Sequence, residues 1–410
     1  MSRSSPAVHM VSVLAAAAIP LVLLAGWERV IQPALVKVPG DIHRVNHYTG
    51  TVTVYLDPVS GATLTTPATS PMTITRVTES VSGSTGADTT VVRDSDTINA
   101  LGQQQVQTNN FVLERRTVRN LNDARAFAFG GTPVDRQGAF YPTLPFAVDN
   151  KRTYQIWNNE AGVRYPMRRA DGAATTTTNG LHVLRMRGVL PTTPVASYYG
   201  PELTALGLPS SLTPDQLQAQ LQVAGVNVTD VAAGLAKVLS ADEMGTIIGT
   251  LASPLPLQYS TSLTGDALVE PDTGIVVRTH SVKRFFVAPD PAAFTQVKTI
   301  LDRHAADPFV KTVSENLISL VATPKPAFTL DYTTTPASVA SMAKYADHQR
   351  TKVRLAKLYL PAALLLLATI LSFCALLAWR KGERRAEPTF VDLRDVHEPE
   401  PEPQRQTAGV

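Results

Sequence analysis

Two apolar runs frame this chain of 410 residues, and they constrain it more than anything between them. Met10 to Trp27 is 18 residues of MVSVLAAAAIPLVLLAGW, and Leu358 to Trp379 is 22 residues of LYLPAALLLLATILSFCALLAW. A helix rises ~1.5 Å per residue and the hydrocarbon core is ~30 Å thick, so ~20 apolar residues span it. Residues 10–27 and 358–379 therefore read as transmembrane helices. Trp27 closes the first run, and Tyr359 and Trp379 flank the second, where interfacial rings prefer to sit. Arg380, Lys381, Arg384 and Arg385 follow at once and place the C-terminus in the cytoplasm by the positive-inside rule, although Lys352, Arg354 and Lys357 stand on the opposite flank. A cleaved signal peptide, with Arg3 ahead and small residues near Ala25, competes for the first run. We read it as an uncleaved anchor. Residues 1–9 and 380–410 then lie in the cytoplasm, and the 330 residues from Glu28 to Lys357 lie outside it. This is the layout of a two-pass protein of the cytoplasmic membrane with an extracytoplasmic main domain.

Composition removes several function classes. Cys374 is the sole cysteine, so intramolecular disulfides, cysteine zinc sites and CxxC redox pairs are excluded. A net charge of +3 is too small for a nucleic-acid partner, which needs a basic face. Much of 28–335 reads as strand. GTVTVYL at Gly50–Leu56 alternates, as do AFTLDYT around Leu330, LHVLRMRGV at Leu181–Val189 and the run from Ile275 to Phe286. Met72–Val77, Phe111–Arg116, Tyr154–Trp157 and Val163–Met167 are further strand candidates. Helix starts are marked by Thr213-Pro214, Asp290-Pro291, Asp307-Pro308 and Thr335-Pro336, each an N-cap residue before a proline, and by a capping box at Ser240 and Glu243. These predict helices over 214–224, 229–239, 241–251, 291–304, 308–322 and 336–357. The first three form a helical insert, 213–251, and the last is a juxtamembrane helix running into the second span. The tail holds EPEPEP from Glu398 and reads as disordered. The expected fold is α+β: a β-rich, barrel-like extracytoplasmic domain with a helical insert, flanked by N- and C-terminal transmembrane helices.

Catalytic constellations are scarce. HExxH, GxSxG, P-loop and dinucleotide fingerprints do not occur. His43 and His47 would share a metal on a helix, but they fall in a loop or strand and read as surface histidines. His280, within a β run, reads as a packed or exposed histidine. Asp94-Ser95-Asp96 matches the DxD pattern that holds a metal-bound nucleotide sugar in glycosyltransferases, and Asp94 and Asp96 are the candidates should the chain modify glycans. The simpler reading, a charged turn, is preferred. Arg115, Arg116, Arg119 and Arg125, or Arg164, Arg168 and Arg169, could form basic patches for anionic head groups. We read them as solvated strand faces.

Four strings carry a resemblance: NNFVLERRTV from Asn109, FYPTLPFAVDNKRTYQIWN from Phe140, VEPDTGIVV from Val269 and FTLDYTTTPASVASMA from Phe328. With the order of spans, they make the chain, to about Lys381, resemble the actinobacterial PorA-like two-transmembrane family, which includes LmcA-like proteins of lipomannan and lipoarabinomannan maturation. The resemblance implies an elongated barrel-like ectodomain with an internal channel, similar to class B scavenger receptors, and a part in cell-envelope lipoglycan handling. It brings no catalytic residues and no cofactor. The function expected is non-enzymatic: binding or transferring a lipid or lipid-linked glycan in envelope biogenesis. The expected partners are the bilayer, a lipid or lipoglycan ligand and envelope glycosyltransferases. An apolar lumen would suit acyl chains, each buried CH₂ contributing ~0.8 kcal/mol. A scaffold for biosynthetic enzymes and a channel-forming porin are the alternatives. A spanning barrel would need strands of ~9–11 residues with a lipid-facing apolar band.

Overall fold

The computed structural model describes residues 18, 22, 24–27, 32–57, 63–171, 176–223 and 226–385. The chain falls into two units, Pro33–Leu355 and a smaller one comprising Met1–Gln32 with Ala356–Val410.

The larger unit is organised by one antiparallel sheet of 14 strands. In chain order these are β1 (His43–Leu56), β2 (Thr63–Ser80), β3 (Thr89–Ala100), β4 (Gln103–Glu114), β5 (Phe127–Ala128), β6 (Thr132–Pro133) and β7 (Tyr154–Asn158). Then come β8 (Val163–Arg169), β9 (Thr176–Thr178), β10 (Leu181–Pro194), β11 (Ser211–Leu212), β12 (Leu255–Val269), β13 (Val276–Pro289) and β14 (Lys325–Thr334). The spatial order is β6-β5-β4-β3-β2-β1-β14-β13-β12-β10-β8-β7, with β9 on β10 and β11 on β12. Thr, Val and Ile dominate β1 and β2, residues that fit a pleated half-buried surface. The ladder between them runs from His43↔Glu79 to Leu56↔Thr63. Gly50 of β1 faces Tyr332 of β14. A Cβ there would stand 2.0 Å from the Asp331 carbonyl oxygen, so the two backbones can approach only over a glycine.

The sheet does not close, which corrects the barrel expectation. Its ends, β4–β6 and β7–β8, are linked through an irregular segment by isolated bridges at Leu113↔Asn120, Arg119↔Phe140 and Phe140↔Ile156. Asn120 N donates to Ala139 O at 2.9 Å, and Phe140 N donates to Gln155 O at 2.8 Å. This segment carries Pro133, Pro142 and Pro145, and proline cannot supply ladder donors, so the seam is filled by loop instead of strand. Arg136 fastens it. Its side chain is fully buried and donates to Asn110 O (2.6 Å), Phe127 O (3.1 Å), Asn109 Oδ1 and Asn159 Oδ1 (both 3.2 Å). Its guanidinium also stacks 4.3 Å from the Phe111 ring centroid.

The helices of this unit are α1 (Gly200–Ala205), α2 (Pro214–Val223), α3 (Val228–Leu235), α4 (Ala241–Leu251), α5 (Thr295–Arg303), α6 (Pro308–Ala322) and α7 (Pro336–Arg354). The caps form as their residue types dictate. Asp307 accepts from Phe309 N and Val310 N, Thr335 accepts from Ser338 N, and Ser240 and Glu243 close a reciprocal capping box. The apolar faces of α3 and α4 do not pack alone: Leu235, Leu239 and Ile247 share one core with Val297, Ile300, Leu301 and Val310 of α5 and α6. The helical subdomain is thus built from two segments of sequence.

In the smaller unit, α8 (Leu360–Arg385) is apolar along most of its length; Pro336–Cys374, which begins as α7 of the larger unit, is by length and composition apolar enough to cross a membrane. Trp27 is buried and its Nε1 donates to Ala356 O at 3.0 Å. The span expected over 10–27 otherwise lies outside the described residues except for 18, 22 and 24–26, as do residues 1–9 and the tail beyond Arg385.

Candidate functional site

Strand alternation sends one face of β1–β4, β7, β8 and β12–β14 inward, and that face mixes apolar side chains, Ile74, Ile98, Ile156, Leu263 and Leu330 among them, with polar and charged ones. It encloses a cavity of about 190 Å³ walled by Arg44, Asn46, Tyr48, Arg76, Gln107, Asn109, Trp157, Asn158, Tyr165, Tyr199, Lys283 and Tyr332 among others. Aromatic rings and amides stand among the aliphatic side chains, and two sets of charges are paired, while Arg44 and Arg278 are further cations of the wall.

The first set is centred on Arg76 of β2. Its Nε and Nη2 donate to the two oxygens of Asp96, each at 2.7 Å, and Nε lies 3.4 Å from Asp94 Oδ2. Asp94 is buried and also accepts from Thr78 Oγ1 at 2.7 Å and Tyr141 OH at 2.9 Å. Burial pushes the Asp94 carboxyl up, against the opposing pull of Arg76. Burial also disfavours the Arg76 cation, but Asp96 leads the groups that outweigh it and hold it well above its ordinary value. Arg76 stacks over Tyr48, 5.4 Å from the centroid, and burial raises that phenol to about 12. The second set pairs Lys283 of β13 with Glu160, whose other oxygen accepts from Asn158 Nδ2 at 2.9 Å. Lys283 also lies 5.9 Å from the Tyr332 centroid. Burial opposes its charge, yet Glu160 holds it above its ordinary value. Arg136 beside this cavity has no carboxylate partner, and burial lowers it to about 10.

Three polar atoms of cavity-lining residues are buried and make no hydrogen bond: Arg44 Nε, Asn46 Oδ1 and Trp157 Nε1. Two are donors and one is an acceptor, so the wall carries unmet hydrogen-bonding capacity of both kinds. A second cavity, about 240 Å³, shares Arg44, Pro142 and Thr143 with the first. It is walled by the segments 35–39 and 345–353, the two ends of the larger unit's chain.

The structure redistributes the residues singled out from sequence. Asp94-Ser95-Asp96 is no turn: it lies inside β3, with both carboxylates facing inward and committed to Arg76. His43 and His47 are both exposed on β1, about 13 Å apart at ~3.3 Å per residue, too far to share an ion. His43 lies beside Glu79, and His47 Nδ1 meets Thr75 Oγ1 at 3.1 Å. His280 Nε2 meets Asp331 Oδ1 at 2.9 Å on the surface. Among the described residues, no cluster of three or more His, Cys, Asp or Glu could hold a metal. The first basic patch is split: Arg116 pairs with Asp88, Arg125 with Asp123, Arg119 covers Phe140 and Arg115 is buried inward. Arg168 lies 3.7 Å from Asp171, with both exposed. Tyr359 is exposed at 61% and Arg380 is exposed on α8. The side chains of Trp379, Lys381, Arg384 and Arg385 lie outside the described residues. The cavity residues that sequence reading missed include Arg44, Trp157 and Lys283. Of these, only Trp157 lies in one of the four resemblance strings; Arg44 and Lys283 lie outside all four. Each string supplies cavity wall: Asn109, Leu113 and Arg115; Tyr141, Thr143 and Trp157; Thr273 and Ile275; Tyr332 and Met342.

The larger unit is thus a β-rich body with an internal cavity, in a chain with one helix long and apolar enough to cross a membrane. The family profile of PorA, described as porin PorA, matches residues 11–377, and the chain belongs to that family. No curated protein matches it. Among solved structures, a conserved protein of unknown function with hot dog fold from Alicyclobacillus acidocaldarius shares 11% identity. That alignment covers 73% of this chain and 82% of the other, and its TM-score of 0.09 carries no argument.

Proposed function

We propose that this is a membrane-anchored, non-enzymatic protein of the cell envelope that binds or passes on a lipid-linked glycan, with the glycan portion in the sheet's interior. The observation that carries the reading is the cavity wall. Tyrosine, tryptophan and amide side chains stand among aliphatic ones around two ion-paired sets, and two wall residues, Trp157 and Asn46, keep a buried Nε1 and Oδ1 with no protein partner. Sugars offer CH faces to rings and hydroxyls that both donate and accept, which suits that mixture. An acyl chain would leave those groups unsatisfied at ~1–3 kcal/mol each. The lipoglycan setting, the two-pass topology with the main domain outside the cytoplasm, and envelope glycosyltransferases as partners belong to the same reading. They rest on the family resemblance and on the basic cluster from Arg380.

The full chain purified in a neutral detergent should carry a hexose-containing lipid, seen by native mass spectrometry and by sugar analysis after acid hydrolysis. Trp157→Phe should lower its occupancy by about tenfold. Protein free of saccharide, from cells that make such glycolipids, would overturn the assignment. The family description favours a second reading, a channel. Strands crossing a bilayer would need an apolar outward band, whereas here the outward positions include His43, His47, Arg164, Arg168, Arg185 and Arg187, all exposed. Step conductance from purified full chain in planar bilayers, abolished by lumen substitutions, would establish the channel instead.

A further inference from the structure

The second cavity has a different chemistry from the first. Its wall is largely apolar, with Val38, Ile42, Val92, Leu113, Phe146 and Val353. Its charged residues are Lys37, Arg44, Arg115 and Lys352, and no aspartate or glutamate lines it. Among the described residues none of these four forms an ion pair. The carboxylates of the adjoining 270–272 turn are committed elsewhere, Asp272 to Arg354 and Glu270 to Thr273 N and Oγ1 at 2.8 and 2.7 Å. Asp94, which favours the Arg44 cation, accepts from Thr78 and Tyr141 and lies against Arg76. Arg115 is partly spent, donating Nε to Val38 O at 2.8 Å and Nη1 to Gly86 O at 2.9 Å. Arg44 is not. It lies over the Tyr345 ring, 5.3 Å from the centroid, its Nε is buried without an acceptor, and it stands on the wall shared by both cavities. A buried guanidinium edge without an acceptor, as at Arg44, is costly unless an anion joins it, and the half-buried Lys37 and exposed Lys352 add positive charge at the same wall. The segments that supply Lys37 and Lys352 are those that adjoin the two apolar runs in sequence.

We propose that this cavity is a binding site for a phosphate-bearing lipid, the phosphate meeting Arg44 with Lys37 and Lys352 and the first part of the chain lying against Val38, Ile42 and Val353. The assignment goes beyond the glycan reading of the interior and stands without it. A planar guanidinium with an uncommitted edge offers paired donors to phosphate oxygens, and the apolar wall favours a lipid over the free ion. Where both readings hold, Arg44 marks the junction between the phosphate and whatever the phosphate carries into the interior.

The test uses the full chain in a neutral detergent and reads bound lipid by native mass spectrometry. Phosphatidic acid should be retained at least tenfold more than diacylglycerol with the same chains, and millimolar inorganic phosphate should not displace it. Arg44→Gln should abolish that preference, Arg44→Lys should restore part of it, and Arg185→Gln, on the outer face, should leave it intact. Should Arg44→Gln fail to fold, the exposed Lys352→Gln should still weaken retention about threefold. Equal retention of diacylglycerol, or a preference unchanged in Arg44→Gln and Lys352→Gln, would overturn the site. Displacement by inorganic phosphate at the concentration of phosphatidic acid would overturn its lipid character. None of these outcomes depends on the presence of a hexose, so the two proposals fail separately.

Discussion

The two cavities of the larger unit handle charge in opposite ways. In the interior, Arg76 is matched by Asp94 and Asp96, and Lys283 by Glu160. The wall of the neighbouring cavity holds Lys37, Arg44, Arg115 and Lys352 and no aspartate or glutamate. Paired charges hold a shape and cancel much of each other's field, so around those two sets the wall suits a neutral guest, although Arg44 and Arg278 stand in it as well. Unpaired cations in an apolar wall leave a field that an anion answers. One side chain, Arg44, belongs to both walls.

The sharpest way to break this contrast is to unpair a charge in the interior. Glu160→Gln would leave the Lys283 ammonium, which is only 18% exposed, without its counter-ion. Losing one partner of a buried pair costs about 3 kcal/mol or more. Equilibrium unfolding in denaturant should show that loss, and Lys283→Met combined with Glu160→Leu should recover most of it. If Glu160→Gln is neutral, the interior pairs are incidental.

The Arg76 set should respond unequally at its two carboxylates. Asp96 takes both guanidinium bonds, so Asp96→Asn should cost about 2 kcal/mol. Asp94→Asn should cost less, under ~1 kcal/mol, because an amide oxygen still accepts from Thr78 or Tyr141. The pH dependence follows from the sign of the shift. Burial raises the Asp94 carboxyl in the folded state above its ordinary 3.8, so the native protein holds that proton more tightly than the unfolded chain does. Its contribution therefore opposes folding at neutral pH and is relieved as pH falls through the raised value toward 3.8. Asp94→Asn should flatten that part of the stability curve, measured by unfolding at a series of pH values.

The same contrast explains what could be read from sequence. Where a strand's inward face is apolar, alternation showed it: Val52, Val54 and Leu56 in β1, or Leu184 and Met186 in β10. Two strands at the centre of the argument were invisible. In β3 the inward residues include Asp94 and Asp96, which reversed the pattern and read as a turn. In β12 the buried positions include Thr261, Gly265 and Ala267, too small and polar to register against their neighbours. A wall whose inward residues are charged or small lacks the signal that reveals ordinary strands. The same chemistry hid Trp157 and Lys283, whose partners come from strands distant in sequence.

The helical subdomain is the legible counterpart, because its determinants are local. Ser240 with Glu243 marked a start, and the structure supplies both reciprocal bonds, Ser240 N to Glu243 Oε2 at 3.0 Å and Glu243 N to Ser240 Oγ at 3.3 Å. Ser240→Ala should cost about 1 kcal/mol. Only the packing of α3 and α4 onto α5 and α6, which lie beyond β12 and β13 in the chain, was out of reach of local rules.

The smallest effect is the most discriminating for the two cavities. Arg44→Met removes a cation that is inserted among Tyr345 and the shared wall with no ion pair to lose. Burial already pushes its pKa down, the mark of a charge the fold tolerates without rewarding. The substitution keeps the length and apolar stem while deleting the uncompensated charge, so stability of lipid-free protein should change by less than ~0.5 kcal/mol or rise. With phosphatidic acid present the wild type alone should gain stability, because a ligand that binds only the folded state adds to it by mass action. A large loss in the lipid-free state would mean that Arg44 is structural, like Arg136, and that the second cavity is one more braced corner of the sheet.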